Sequence, residues 1–235
     1  MRRRWPKKLK KEGIALNKLL KTKELFDCRV PYLVPLFEKV EYPWEMLPEI
    51  SDYINKLTEK GLSGFTEISK GVWVGENVKI YPTATLEAPA IIGSGTEIRP
   101  GAYLRGNVIT GKNCVLGNSS EFKNCILLDG VQAPHYNYVG DSVLGNKAHL
   151  GAGSICSNLK SDGRSVVIHG DEEHPTNLRK VGAILGDMAD VGCSCVLNPG
   201  TVIGKNTSVY PNTTLRGVYP ENSIIKSAVN VVERL

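Results

Sequence analysis

Aromatic residues make up only 7% of this 235-residue chain. That is too few for a core built on large rings. No apolar run approaches the ~18 residues that a membrane-spanning helix needs. The arginines near the start are not followed by the apolar stretch of a secretory signal. The six cysteines show no CxxC spacing. Cys193 and Cys195 are two apart, so in a strand they would share one face, which suits neither a disulfide nor a zinc knuckle. Free thiols in a reduced, cytoplasmic compartment are the expectation.

What the chain does have is glycine, at 24 residues, and a period of six. Val74, Ile80, Leu86, Ile92, Ile98, Leu104, Thr110 and Leu116 fall six apart, and the register returns at Leu185, Val191, Leu197, Ile203, Val209 and Leu215. Four places after each comes a small or β-branched residue, among them Ala84, Thr96, Ala102, Cys114, Ala189, Cys195 and Thr201. Six matches neither the 3.6 of a helix nor the 2 of a half-buried strand. A fixed short period means a solenoid. One six-residue step per flat side makes a triangular prism, aliphatic residues inward, with Gly and Asn favoured at the corners because they tolerate left-handed backbone.

This reading divides the chain. Residues 1–23 hold ten Lys or Arg against one acid, Glu12, leaving 19 basic and 23 acidic residues beyond. A basic tail precedes an acidic body of net charge −4. The tail reads as a solvated, partly disordered extension, with nucleic acid an unfavoured partner. Residues 24–70 are expected to cover the first coil as a cap with one helix, over 45–60, because Leu47, Ile50, Ile54 and Leu57 share a face and Gly61 follows. The prism spans 71–216. It loses register around 124–143 and throws out a loop at 159–183. A tail follows at 217–235.

Polar residues gather where the register is lost. Glu121, Lys123, His135, Tyr138, His149 and Asn158 lie there, and Arg99 stacks near position 117. A His oriented by a carboxylate is a general-base pair. Arg and Lys beside it suit a phosphate.

The stretches Ile98-Arg99-Pro100-Gly101, Gly117-Asn118-Ser119-Ser120-Glu121-Phe122-Lys123, Pro134-His135-Tyr136-Asn137-Tyr138-Val139-Gly140-Asp141, Leu150-Gly151-Ala152-Gly153-Ser154 and Ser157-Asn158 resemble a known family. It is the hexapeptide-repeat acyltransferases, and within them the acetyltransferase half of bifunctional glucosamine-1-phosphate acetyltransferase/N-acetylglucosamine-1-phosphate uridylyltransferase. The resemblance covers about residues 72–226. It implies an all-β, left-handed parallel β-helix and acetyl-CoA as co-substrate. In catalysis it makes His135 the base and Glu121 the acid that orients it. It places Arg99, Lys123, Tyr138 and Asn158 on an amino-sugar phosphate, and Ala152 and Cys193 along the acetyl-CoA arm. It also implies a homotrimer with sites between prisms.

The departures are Leu159 where the family has Tyr, His149 where it has Asn, and Arg164 in place of a Lys. Residues 1–70 contain nothing like the Gly-rich nucleotide loop of the other half, so synthesis of a UDP-sugar by this chain alone is not expected. Two further readings stay open. One is a non-catalytic sugar-phosphate or nucleotide-binding partner or sensor. The other is a metal hydrolyase like the γ-class carbonic anhydrases. His169 and His174 carry an H-x4-H spacing, but in the charged loop.

Overall fold

A computed structural model describes residues 18–228 and 230–233. Most of the basic segment therefore lies outside the described residues. The prism is present. Its strands stack in parallel into three flat sides. One side runs through Val72–Gly75, Ala90–Ile92, Val108–Thr110, the second half of Glu121–Leu127, the second half of Tyr138–Leu144, Ala183–Leu185 and Thr201–Ile203. The second carries Glu97–Ile98, Val115–Asn118, Gln132–His135 and His149–Leu150. The third carries Tyr103–Arg105, the first halves of Glu121–Leu127 and Tyr138–Leu144, and Ile155–Cys156.

The hexad aliphatics fill the interior: Ile98, Leu116, Leu150, Leu185 and Ile203 are fully buried, as are Ala102, Cys114 and Cys195 near the corners. The corner between the second and third sides repeats one backbone. Gly101, Ser119, Tyr136, Gly153, Ser194 and Asn212 all take positive φ at the equivalent place. A tight 120° bend needs that conformation, so any residue there must accept it.

Four expectations need correction. The repeat does not fail at 124–143. Thr110, Leu127 and Leu144 are in register neighbours at 17-residue intervals instead of 18. Each of these coils drops one residue at the corner between the third and first sides, where Asn124 and Asp141 turn with φ of 48°. A missing corner residue tightens the bend and leaves the sides flat.

The N-terminal region is a layer along a side, not a lid over the end, and it has more than one helix. Helices α1 (Thr22–Leu25), α2 (Val34–Lys39) and α3 (Ile50–Thr58), with the 3-10 stretch Pro43–Glu49, lie on the outside of the first side. Regular helix begins only at Ile50 because Pro48 removes an N–H and restricts the residue before it. Leu33, Leu36, Met46, Ile50 and Ile54 pack there on Ile91, Ile109, Ile126 and Val143, which point outward from the sheet. Polar contacts fix the layer. Tyr32 Oη donates to Thr110 O at 2.6 Å, Asn124 Nδ2 to Leu47 O at 3.2 Å, and Asp27 N to Asp187 Oδ2 at 2.7 Å.

The insertion ends before Ala183, which is already in a prism strand, and it is not thrown out. It folds as a hairpin, Val167–His169 against Glu173–Pro175. Val166, Ile168 and Val181 are buried in the same apolar layer, beside Val202 and Val218. Chain burying that much apolar surface gains more than it would in water.

The last residues are not a tail. Val218–Tyr219 and Ser223–Ser227 pair in parallel with Thr201–Ile203 and Ser208–Val209. Asn230–Glu233 then turns back antiparallel on Ser223–Ser227. The closing strand covers an edge that would otherwise offer unpaired N–H and C=O groups.

Candidate active site

The predicted site residues fall on one strip of the prism, at the corner between the second and third sides and across the third side. Parallel pairing places them. Each coil adds about 4.8 Å along the axis, so register partners are immediate neighbours. Glu121 stands between Tyr103 and Tyr138. Lys123 stands beside Gly140 and, by the same register, beside Arg105. His135 ends its strand opposite Asn118, at the corner that leads into Tyr138.

His135 is exposed, and its backbone is held on both sides. Its N–H donates to Asn137 Oδ1 at 3.1 Å, and its carbonyl accepts from Gly153 N at 3.0 Å. Asn137 is buried and donates through Nδ2 to Gly151 O at 2.8 Å. Its N–H donates to Ser120 Oγ at 2.9 Å, so three adjacent coils are tied together behind the imidazole. Gly117 is obligatory behind this corner, since a Cβ there would lie 1.7 Å from the backbone carbon of Pro134.

Glu121 does not hydrogen-bond to His135. Its Oε1 accepts from Arg105 Nη1 at 2.6 Å. Arg105 was not foreseen as a site residue. Its guanidinium also lies 5.9 Å from the ring centre of Tyr103, whose hydroxyl donates to Glu87 Oε1 at 2.7 Å. Both partners of the Arg105–Glu121 pair are a third or more exposed, so solvent screens the pair and it holds the fold together only weakly. It is a contact that a ligand can replace.

A second unforeseen residue organises the far edge. Asp141 is buried at the shortened corner. Its carboxylate accepts from Lys123 Nζ at 3.4 Å, from Asn124 Nδ2 at 2.9 Å, and from Asn158 Nδ2. Asn158 Nδ2 also reaches the Tyr138 hydroxyl at 3.1 Å. Partial burial pushes the Tyr138 phenol above its usual range, with the Asn158 bond opposing. Lys123, Tyr138 and Asn158 are thus brought together through one carboxylate. The Tyr138-Val139-Gly140-Asp141 stretch contained it, but only the corner geometry gives it its partners.

Arg99 stacks as expected, with its N–H on Leu116 O at 2.8 Å. Its guanidinium is 3.4 Å from Glu97 and two coils away from His135. Ala152 and Cys193 are neighbours across the same corner, where Ser194 N donates to Ala152 O at 2.8 Å. Cys193 is exposed whereas Cys195 is buried. The two do not share a face, because Ser194 between them turns through positive φ at 57°. All six cysteines are free.

Of the departures, Leu159 is exposed and bridges Lys180. His149 Nδ1 pairs with Asp190 Oδ1 at 2.8 Å on the second side. Arg164 is exposed on the insertion. A cavity of about 280 Å³ opens beside Asp141, between Leu47 and Pro48 of the helical layer and Arg179 and Lys180 of the insertion. A larger hollow of about 410 Å³ lies within the helical layer around Phe26 and Phe37 and contains none of the site residues. Among the described residues no group of three or more His, Cys, Asp or Glu could hold a metal ion. No helix among them is long and apolar enough to cross a membrane.

A family profile described as the GMPPB C-terminal domain matches residues 86–174. A bifunctional protein GlmU from Methanococcus maripaludis is 32% identical over 225 residues, covering 94% of this chain and 54% of that protein. A bifunctional sugar-1-phosphate nucleotidylyltransferase/acetyltransferase from Sulfurisphaera tokodaii is 32% identical over 155 residues, 60% of this chain and 39% of its own length. The chain spans about half the length, or less, of these relatives. Among solved structures, AntD, an N-acyltransferase from Bacillus cereus crystallised with dTDP and coenzyme A, superposes with a TM-score of 0.39 at 16% identity, covering 73% of this chain and 91% of that one.

Proposed function

Starting from this similarity to bifunctional sugar-phosphate enzymes with an acetyltransferase half, we propose that the chain is an acetyl-CoA-dependent acetyltransferase whose acceptor is an amino-sugar phosphate. One observation carries the reading. A solvent-facing His, a carboxylate one turn away and three polar groups tied through Asp141 occupy contiguous places on one strip of an otherwise regular prism.

In this reading acetyl-CoA supplies the acyl group as an activated thioester. Ala152 and Cys193, small residues on adjacent coils at one corner, hold its arm. Lys123, Tyr138, Asn158 and Arg99 bind the sugar phosphate. His135 takes a proton from the amine as it attacks the thioester carbonyl, and later returns it to the departing thiolate. Such a base is worth about 10²–10⁴ in rate. Side-by-side binding of both substrates supplies the proximity. Glu121 stabilises the imidazolium. A corner N–H would meet the developing oxyanion.

The site takes its second wall from another copy of the chain, as a homotrimer. The helical layer and the hairpin cover the first side, so the second and third sides remain for neighbours. The test is acetyl-CoA consumption against a panel of amino-sugar phosphates and unphosphorylated amino sugars. Release of coenzyme A with at least one of them supports the reading, and none with any overturns it.

A further inference from the structure

The Arg105–Glu121 contact puts a lock on the proposed base. Glu121 can orient His135 only if its carboxylate reaches the ring, yet Arg105 Nη1 holds its Oε1 at 2.6 Å and no hydrogen bond joins either carboxylate oxygen to the imidazole. Arg105 also stands next to Lys123 on the outward ladder of the third side, one coil apart. Two cations on adjacent rungs repel. In the structure each is paired with a carboxylate, Arg105 with Glu121 and Lys123 with Asp141, and Glu87, in register with Arg105 on its other side, is occupied by the Tyr103 hydroxyl. A phosphate monoester meets both cations better than Glu121 meets one. It carries up to two charges and offers a guanidinium two oxygens at once, whereas Glu121 receives a single N–H.

We propose that Arg105 is a specificity-determining positioning residue that holds Glu121 away from His135 until an acceptor's phosphate binds Arg105 and Lys123 and releases the carboxylate to the imidazole. Substrate phosphate thereby assembles the base pair, and an amino sugar without phosphate meets a locked site. The assignment rests on the acetyltransferase reading for its meaning, but it makes a claim about Arg105 that can be read without turnover.

Imidazole ¹⁵N spectra at fixed pH, with His135 assigned by comparison with His135→Ala, are titrated with inorganic phosphate. In the wild type the His135 signals move on saturation. In Glu121→Gln they do not move. In Arg105→Gln they lie near the phosphate-bound position before any phosphate is added. Signals that ignore phosphate in the wild type, or that move equally in Glu121→Gln, overturn the proposal whether or not the protein acetylates anything. In turnover, Arg105→Gln should lower kcat/KM for the phosphorylated amino sugar and raise kcat for the unphosphorylated one, collapsing discrimination at least 10-fold. Arg105→Lys, which keeps the charge but not the fork, should fall between. Equal losses with both acceptors would reduce Arg105 to a structural role and also overturn the proposal.

Discussion

Lys123 and Asp141 meet at 3.4 Å across adjacent coils, and their side chains are 26% and 6% exposed. The pair exists because the corner between them is one residue short, which turns Asp141 into the protein. Asp141→Ala leaves Lys123 without its carboxylate and takes from Asn124 and Asn158 one of the two acceptors that each has. A buried, charge-assisted contact of this kind is worth about 3 kcal/mol, so the melting temperature should fall by roughly 6–12 °C. Asp141→Asn keeps the left-handed turn, which Asn tolerates, and should cost less. Thermal unfolding of the two variants separates charge from turn. Equal melting of Asp141→Ala and the wild type would contradict the hub.

His135→Ala should lower kcat at least ~100-fold with little change in KM for acetyl-CoA, because a base acts in the transition state. Lys123→Ala should instead raise KM for the phosphorylated acceptor. Glu121→Gln should impair turnover less than His135→Ala, since it removes only orientation and charge support. Steady-state kinetics with both substrates varied checks all three.

Cys193 is the exposed thiol, whereas burial pushes Cys114 and Cys156 up to about 12 and the half-buried Cys28 up to about 11. Thiolates react and thiols do not. Iodoacetamide at pH 8 should therefore label Cys193 first, and Cys193→Ser should abolish that fast phase. If the coenzyme arm lies along this corner, coenzyme A slows the labelling. Labelling at an unchanged rate with saturating coenzyme A would remove Cys193 from the coenzyme contact.

His169 fastens the hairpin to the prism. Its Nε2 lies 3.0 Å from Arg216 Nη2 and its Nδ1 3.6 Å from Glu173, with Lys160 also nearby. Desolvation, with Arg216 adding to it, lowers the His169 pKa below 6.5, against the opposing pull of Glu173. The unfolded segment binds the proton more readily than the folded one. Stability is therefore constant above the unfolded pKa and falls as pH drops through about 6.5. Amide exchange in residues 157–182 should accelerate below pH 6.5, and His169→Gln should flatten that dependence. Mass-detected hydrogen exchange from pH 5 to 8, corrected for intrinsic rates, measures it.

Ile98 is completely buried in the prism. Ile98→Asp places an unpaired charge there at a cost of several kcal/mol, and the protein should fail to fold. Circular dichroism showing retained β signal with unchanged melting would count against the packing described.

By itself the sequence determined the prism. A period of six is a local property, since side chains alternate in and out along each flat step whatever lies next to it. Ile98, Leu116 and Ile203 could therefore be placed inside, and Gly101 and Asn212 at corners, without knowing any neighbour. It also carried an unused signal. Every third step is an aliphatic pair or its close variant, as in Ile91-Ile92, Ile126-Leu127, Val143-Leu144, Ile184-Leu185 and Val202-Ile203, which marks a side buried on both surfaces.

Tertiary structure decided which residues meet. Lateral neighbours depend on the length of each coil, and a single residue dropped before Leu127 and again before Leu144 shifts every later partner. That is why Asp141 gathers Lys123 and Asn158. Arg105 takes Glu121, its diagonal neighbour, while its direct register partner Glu87 takes the Tyr103 hydroxyl, and only the side-by-side stacking of three coils sets that exchange. The helices and the hairpin lie along the first side instead of over an end because that is where the outward-facing isoleucines and valines are, and their burial is a property of the assembled sheet that no single hexapeptide contains.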